Sequence, residues 1–186
     1  PDSVCKMIWV DETYINYLPD AVSLEPLCGS LPELVVCKSM SKCYALSGLR
    51  VAYAVSQNMA TLRRFIPPWA VSLPGQLAAV AALRNEAYYA AQYDIIHQQR
   101  AAMQTTLEGL GFRVFSGVAN YLLTYLPPAS GFTSLRFIEA CREQGLFVRD
   151  AQNMGVMLPN NAVRFAVRSP EENKTMLSIV DAVLAS

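Results

Sequence analysis

The sequence predicts an α/β protein in which a sheet-based unit and a smaller α+β unit are joined by a long helical stretch. Short apolar runs at residues 7–10 and 34–37 predict buried strands, and each leads directly into polar residues. A segment rich in Ala, Gln, Leu and Tyr extends from residue 74 to about residue 110 without an internal proline. Strand and helix patterns then alternate to the end of the chain.

The elements of the first unit predict a mainly parallel sheet with polar residues at its carboxyl edge. Asp11 and Glu12 follow the first strand, at the edge where open α/β sheets gather their ligands. Residues 16–33 are rich in Pro, Gly and Ser and predict a loop with room for one helical turn. A third strand is expected at residues 51–55. A short helix at 57–65 should end before the prolines at 67 and 68.

The second unit begins after one long helix, or two in succession, that Gly111 ends. Strands are expected at residues 112–115, 121–126, 146–149 and 163–167. Thr133 is placed to cap a helix that Gly145 ends. Ser169 is placed to cap the last helix, with a proline at its first position and two glutamates in its first turn.

Composition excludes several classes of protein. Hydrophobic residues make up 53% and charged residues 16%, which is not a disordered composition. Fifteen basic residues balance fifteen acidic ones, so no net field attracts nucleic acid or an anionic membrane. Five cysteines without a CxxC pair, and the single histidine His97, argue against a zinc or other metal site. We expect reduced thiols and a cytoplasmic protein without signal peptide or membrane span.

Chemically useful side chains collect where the first strands end. Lys42 follows a strand, has Ser39 and Ser41 as close neighbours, and precedes Arg50 by eight positions. A neutral lysine amine forms a Schiff base with an aldehyde, and a carboxylate such as Asp11 keeps a pyridine nitrogen protonated. Hydroxyl and guanidinium groups suit a phosphate ester.

Three motifs carry a resemblance to a known family. The run SMSKCYALSGLRVAY at residues 39–53 resembles the lysine segment of class I/II aminotransferases, which use pyridoxal 5′-phosphate (PLP). VDETY at 10–14 resembles the family's aspartate strand, and VRFAV at 163–167 resembles its late arginine strand. The motifs occur in the family's order and cover nearly the whole chain.

The resemblance implies a fold and a role for each site residue. The fold is PLP fold type I, with residues 1–99 as part of the large domain and its connecting helix, and 100–186 as the small domain. Lys42 holds PLP and moves the reacting proton, while Asp11 pairs with the ring nitrogen and Tyr14 with the 3-oxygen. Ser39 and Arg50 bind the cofactor phosphate with help from Ser41. Members of the family usually form homodimers.

Four shorter stretches resemble the histidinol-phosphate aminotransferase and threonine-phosphate decarboxylase group: PPWAV at 67–71, ANY at 119–121, GLFVRD at 145–150 and RFAVR at 164–168. This implies that Arg164 binds the anionic group of an amino acid or phosphorylated amine. Arg149 joins it unless it forms an ion pair with Asp150. Asn120 is a third candidate substrate contact.

Three functions stay open at this point. The first is amino transfer, and the second is decarboxylation of a phosphorylated amino acid on the same cofactor. The third is a truncated module without catalytic activity. The family's Gly-rich phosphate turn and its cofactor-stacking aromatic residue precede the aspartate, and this sequence starts with Pro1 and a strand at 7–10. We therefore expect it to be the C-terminal part of a longer protein.

Overall fold

The computed structural model describes residues 7–155 and 158–186, so Cys5 lies outside the described residues. Tertiary contacts divide the chain into two units after Tyr93. This division and the predicted boundary between residues 99 and 100 both fall within helix α3 (Glu86–Gly109). Among the described residues, no helix combines the length and the hydropathy that a membrane span requires.

The first unit contains a three-stranded sheet in the order β1 (Ile8–Asp11), β2 (Leu34–Ser39), β3 (Ala52–Val55). β1 and β2 are parallel, whereas β2 and β3 are antiparallel. The prediction of a mainly parallel sheet is therefore wrong, and the described sheet is mixed. The cause is the chain reversal after β2, where the Met40 N–H donates to the Val51 carbonyl at 3.1 Å and returns the chain alongside β2.

Alternation along the strands gives this sheet two different faces. One face carries Val10, Leu34, Val36 and Val55, which pack with Cys28 from a 3-10 turn at Glu25–Gly29. The other face carries Asp11, Cys37 and Ser39, because Asp11 is in register with Cys37 on the neighbouring parallel strand. The polar candidates at the strand ends therefore share one face and one edge.

Helices follow the sheet: α1 (Met59–Leu62), which a 3-10 turn at Arg63–Phe65 extends, then α2 (Leu73–Leu83) and α3. The long apolar stretch thus forms two successive helices, one of the two alternatives that the sequence left open. Ser72 caps α2, since its hydroxyl accepts from the Gly75 N–H at 3.2 Å and a proline follows in the first turn.

The second unit is an antiparallel sheet in the order β4 (Arg113–Val114), β5 (Tyr121–Tyr125), β7 (Ala162–Ala166), β6 (Arg149–Asp150). Helices α4 (Ser134–Glu143) and α5 (Pro170–Leu184) complete it. Its core joins α3, both of these helices and one face of the sheet through Leu107, Leu122, Phe137, Phe165 and Val180. The predicted strand at 146–149 is wrong except for Arg149, because residues 146–148 have no strand partner.

The predicted helix ends of this unit are confirmed. Thr133 accepts from the Arg136 N–H at 3.4 Å, and Gly145 has a φ of 80°, which favours glycine after a helix. Ser169 and Glu172 form a reciprocal capping box at the start of α5.

Candidate active site

A hydrogen-bonded chain links the carboxyl ends of β1 and β2. The Thr13 hydroxyl donates to Asp11 Oδ1 at 2.5 Å, and the Thr13 N–H donates to the same oxygen at 2.9 Å. The hydroxyl oxygen of Thr13 in turn accepts from the Ser39 N–H at 3.2 Å. Thr13 thereby connects two predicted site residues. This role of Thr13 is not predictable from the sequence, because a threonine after a strand carries no signal for it.

The same series of hydrogen bonds continues into the loop that carries Lys42. The hydroxyl groups of Ser39 and Ser41 are 2.8 Å apart, and the Ser41 N–H donates to the Ser39 hydroxyl at 3.4 Å. Lys42 follows directly and is exposed. Within residues 7–155 and 158–186, its amine takes part in no hydrogen bond or ion pair. Asp11, Ser39, Ser41 and Lys42 are therefore neighbours at one edge of the sheet.

Buried side chains hold the backbone around Lys42. The Tyr17 hydroxyl donates to the Lys42 carbonyl at 3.1 Å, and burial raises the pKa of this phenol, which is 1% exposed. The Cys43 thiol donates to the Thr13 carbonyl at 3.1 Å, and burial raises the pKa of this thiol to about 11. Tyr14 is half-buried and packs with its ring centroid 6.3 Å from that of Tyr17. The Lys42 main chain is fixed, while its side chain extends from an exposed position.

Backbone pairing brings Arg50 to the region of Ser39 and Ser41, because the carbonyl of the next residue, Val51, accepts from the Met40 N–H. It is exposed, and its Nη1 donates to the Ser47 carbonyl at 3.0 Å. Its φ of 53° lies in the left-handed region, and so does that of Ala45 at 55°. Each such conformation costs a residue with a side chain about 1 kcal/mol. Two in one loop indicate that tertiary contacts impose the loop's shape.

A second lysine beside the site is already paired. Lys38 Nζ lies 3.2 Å from Glu12 Oε2 and 2.7 Å from Glu25 Oε1. Burial opposes the charge of Lys38, but hydrogen bonds and charges from Glu25 and Glu12 outweigh it and raise the pKa of its amine. Lys38 is thus held as a cation, which leaves Lys42 as the available amine. This cluster was not predicted, although a lysine within a buried strand indicates that a buried acidic partner is needed.

The edge is open to a ligand. A cavity of about 270 Å³ is bordered by the ends of all three strands, including Trp9, Asp11, Thr13, Ser39 and Ala52. Cys37 also lines it, and burial together with the charge of Asp11 raises the pKa of that thiol. The cavity therefore presents a carboxylate and hydroxyl groups beside apolar surface.

The second unit places two predicted substrate contacts opposite each other. Arg149 on β6 is in register with Arg164 on β7, so both side chains leave the same face of the sheet. The Arg164 guanidinium lies 4.8 Å from the centroid of the Tyr121 ring, in cation–π geometry. Asp150 instead accepts from the Gln152 N–H at 3.0 Å, and no ion pair with Arg149 occurs in the described part of the chain. Two adjacent cations without an acid between them suit an anion.

The last candidate, Asn120, and the nearby Arg168 have main-chain or peripheral contacts. Asn120 precedes β5, and its carbonyl accepts from the Val167 N–H at 2.9 Å, which ties the ends of β5 and β7. Arg168 forms an exposed ion pair with Glu172 at 3.3 Å. Asn120, Arg149 and Arg164 belong to the second unit, whereas Asp11, Lys42 and their neighbours belong to the first. The functional roles of these residues stay predictions.

Comparison with known proteins identifies the family. The profile described as "Aminotransferase class I and II" matches residues 4–180. The aromatic amino acid aminotransferase of Rhodococcus erythropolis is 33% identical over 182 residues, which cover 96% of this chain and 48% of that protein. The histidinol-phosphate aminotransferase of Shouchella clausii is 31% identical over 186 residues, which cover 96% of this chain and 47% of that protein. The chain spans about half the length of the curated relatives it matches.

Solved structures agree in fold. The histidinol-phosphate aminotransferase of Clostridium acetobutylicum has a TM-score of 0.84 at 24% identity, covering 96% of this chain and 54% of its own. The L-threonine-O-3-phosphate decarboxylase of Porphyromonas gingivalis has a TM-score of 0.82 at 23% identity, and the match covers 96% of this chain and 55% of that protein. The histidinol-phosphate aminotransferase of Sinorhizobium meliloti was solved with pyridoxal 5′-phosphate. It has a TM-score of 0.79 at 23% identity, and the match covers 96% of this chain and 49% of that protein. The family predicted from the three motifs is confirmed, and the chain belongs to the class I and II aminotransferases, whose fold it follows over about half their length.

Proposed function

We propose that this chain carries the reactive lysine of a PLP-dependent aminotransferase and that Lys42 is that lysine. The observation that carries the proposal is the chain of hydrogen bonds from Asp11 through Thr13 and Ser39 to Ser41, which leads to an unpaired amine at the next residue. Family membership supports the cofactor, because the family depends on PLP.

The donor set of the first unit fits this cofactor. Asp11 offers a carboxylate at the strand edge for a protonated pyridine nitrogen, and Tyr14 lies near it on the chain that follows. Ser39, Ser41 and Arg50 offer the hydroxyl and guanidinium donors that a phosphate ester requires. When bound, PLP supplies an electron sink that makes a bond to the substrate Cα labile.

Residues of this chain have different roles in the proposed reaction. Lys42 would hold the cofactor at its aldehyde group, and its amine, once the substrate has displaced it, would carry the proton that leaves the substrate Cα. Tyr17 and Cys43 keep the Lys42 backbone in place during this movement. Lys38 takes no part, because Glu12 and Glu25 hold it as a cation.

We propose an amino acid or a phosphorylated amine as the substrate, with its anion between Arg149 and Arg164 and with Asn120 near it. The pairing of the two arginines supports an anionic substrate. The same pairing suits a phosphate dianion, so decarboxylation of a phosphorylated amino acid is the second candidate. The thiols of Cys28, Cys37, Cys43 and Cys141 are free, which supports a reducing, cytoplasmic location. A homodimer is also proposed, from the family alone.

Borohydride trapping tests the role of Lys42. The protein that carries this sequence is mixed with PLP, reduced with borohydride and digested, and the peptides are analysed by mass spectrometry. We expect a pyridoxyl group on Lys42, and loss of both the label and the visible absorbance band in Lys42→Ala. Lys174→Ala, an exposed change on α5, is the matched control and should keep both. Equal labelling of Lys42→Ala and the parent protein would refute the proposal.

A further inference from the structure

A buried arginine in the second unit has an incomplete set of partners. Arg100, within α3, is only 7% exposed. Its Nη1 donates to Gln104 Oε1 at 3.3 Å, and its Nη2 donates to the Phe115 carbonyl at 3.2 Å. Its Nε is buried and has no hydrogen-bond partner. The Arg100 Nε–H is therefore a buried donor without an acceptor among the described residues.

The charge of Arg100 is also uncompensated. No carboxylate forms an ion pair with it anywhere in residues 7–155 and 158–186. Gln104 links Arg100 to an acid indirectly, because its Nε2 donates to Glu108 Oε1 at 2.8 Å. Burial lowers the pKa of the guanidinium, although the nearby Tyr121 phenol acts in the opposite direction. A buried charge destabilises the folded state unless an opposite charge accompanies it.

A cavity of about 220 Å³ adjoins this guanidinium. The loop between β4 and β5 forms one wall with residues 116–119, and Tyr121 and Leu123 form another. Gly117 allows the close approach, since a Cβ at that position would lie 3.3 Å from Arg100 Nη2. Within the described residues, no backbone hydrogen bond is donated by the N–H groups of residues 116–119. The buried Arg100 and the loop of residues 116–119 thus line the same cavity.

We propose that this cavity binds a small oxyanion of the phosphate or carboxylate class, with Arg100 as its charged contact. The volume exceeds the roughly 30 Å³ that one water molecule occupies in the liquid, so a small polyatomic anion fits. The site is separate from the arginine pair on β6 and β7. Tyr121 contacts both regions, because its ring lies under Arg164 and it also lines the cavity.

Solution NMR with inorganic phosphate tests the site directly. In ¹⁵N-labelled protein at constant ionic strength, we expect the Arg100 Nε–H signal and the amide signals of residues 116–119 to shift in a saturable manner. Sodium acetate, as a carboxylate, should shift the same signals, whereas sodium chloride should not. Shifts that fail to saturate, or that chloride reproduces, would overturn the proposal.

Variants separate this site from the proposed substrate site. Arg100→Met should weaken phosphate binding about tenfold or more, which corresponds to about 1.4 kcal/mol, while Arg100→Lys should retain part of it. If Arg100→Met does not fold, Gly117→Ala serves instead, since its Cβ narrows the cavity and should also weaken binding. The double variant Arg149→Met/Arg164→Met should leave the shifts of residues 116–119 intact. Loss of those shifts in the double variant would assign the phosphate to the other arginines.

Discussion

At the scale of single residues, the candidate site depends on partners that contribute position rather than chemistry. Thr13 holds Asp11 and Ser39 together, and Tyr17 holds the carbonyl of Lys42. The bonds to Ser39 and Lys42 join the loop after β1 to β2 and to the loop after it, whereas the bond from Thr13 to Asp11 fixes the end of β1. The placement of Lys42 relative to Asp11 therefore depends on the hydroxyl groups of Thr13 and Tyr17, to which the sequence assigned no role.

Replacement of Thr13 tests this dependence. Thr13→Val keeps the shape but removes the donor to Asp11 and the acceptor of the Ser39 N–H, so we expect a loss of about 1–3 kcal/mol in the free energy of unfolding. PLP affinity should fall as well, because Asp11 loses one of the two hydrogen bonds from Thr13 that orient its carboxylate. Urea unfolding and a PLP titration measure the two effects. Thr13→Ser retains the hydroxyl and is expected to stay close to the parent protein. An unchanged PLP affinity in Thr13→Val would contradict the positioning role.

At the scale of secondary-structure elements, one ionic cluster joins three pieces of the first unit. Glu12 follows β1, Lys38 lies on β2, and Glu25 begins the 3-10 turn at Glu25–Gly29. Glu12 also accepts from the Leu24 N–H at 2.7 Å and from the Ser23 hydroxyl at 2.6 Å. The loop between β1 and β2 is thus fastened to the sheet next to the strand ends that carry the site.

The cluster predicts an acid-sensitive stability. Burial would raise the pKa of Glu12, but hydrogen bonds from Ser23, Leu24 and Lys38 outweigh it and lower the pKa below the ordinary 4.5. The folded state then binds fewer protons than the unfolded state near this pH. The stabilisation is therefore present above about pH 4.5 and is lost as the pH falls through the folded-state pKa of Glu12.

Urea unfolding across pH measures this contribution. Glu12→Gln should be about 3 kcal/mol less stable than the parent protein at pH 7, since Lys38 loses one of its buried partners. The difference in the free energy of unfolding should narrow as the pH falls below the ordinary pKa of glutamate. Glu33→Gln, an exposed change just before β2, should keep the parent's dependence on acid. If the free energies of unfolding of Glu12→Gln and the parent protein change with pH in parallel, the cluster is not the source of the acid sensitivity.

At the scale of the whole molecule, the chain contains two units with separate cores, and each contributes one half of the proposed chemistry. The first unit has the amine, the carboxylate and the phosphate donors, whereas the second has the paired arginines. The chain spans about half the length of its relatives.

Replacement of Arg164 tests the substrate proposal. Arg164→Met should raise KM for the anionic substrate about 10- to 100-fold, because a charge-assisted hydrogen bond contributes about 1.5–3 kcal/mol. Arg168→Met is the matched control, since Arg168 pairs with Glu172 at the surface. Amino transfer to a keto acid and CO₂ release from threonine phosphate are to be measured side by side. CO₂ release without amino transfer would exclude the first candidate function and favour the second.

The order of the elements and the family follow from local patterns in the sequence. Strand positions, the capping residues Thr133 and Ser169, and the motifs around Asp11, Lys42 and Arg164 each lie within a short stretch, where side-chain periodicity and spacing are readable. The tertiary structure alone decided the antiparallel return of β3, the bridge through Thr13, the pairing of Lys38 that sets Lys42 apart, and the register that brings Arg149 opposite Arg164. These depend on which distant segments become neighbours, and strand pairing and hydrogen-bond partners between distant segments are not encoded in any single stretch of the chain.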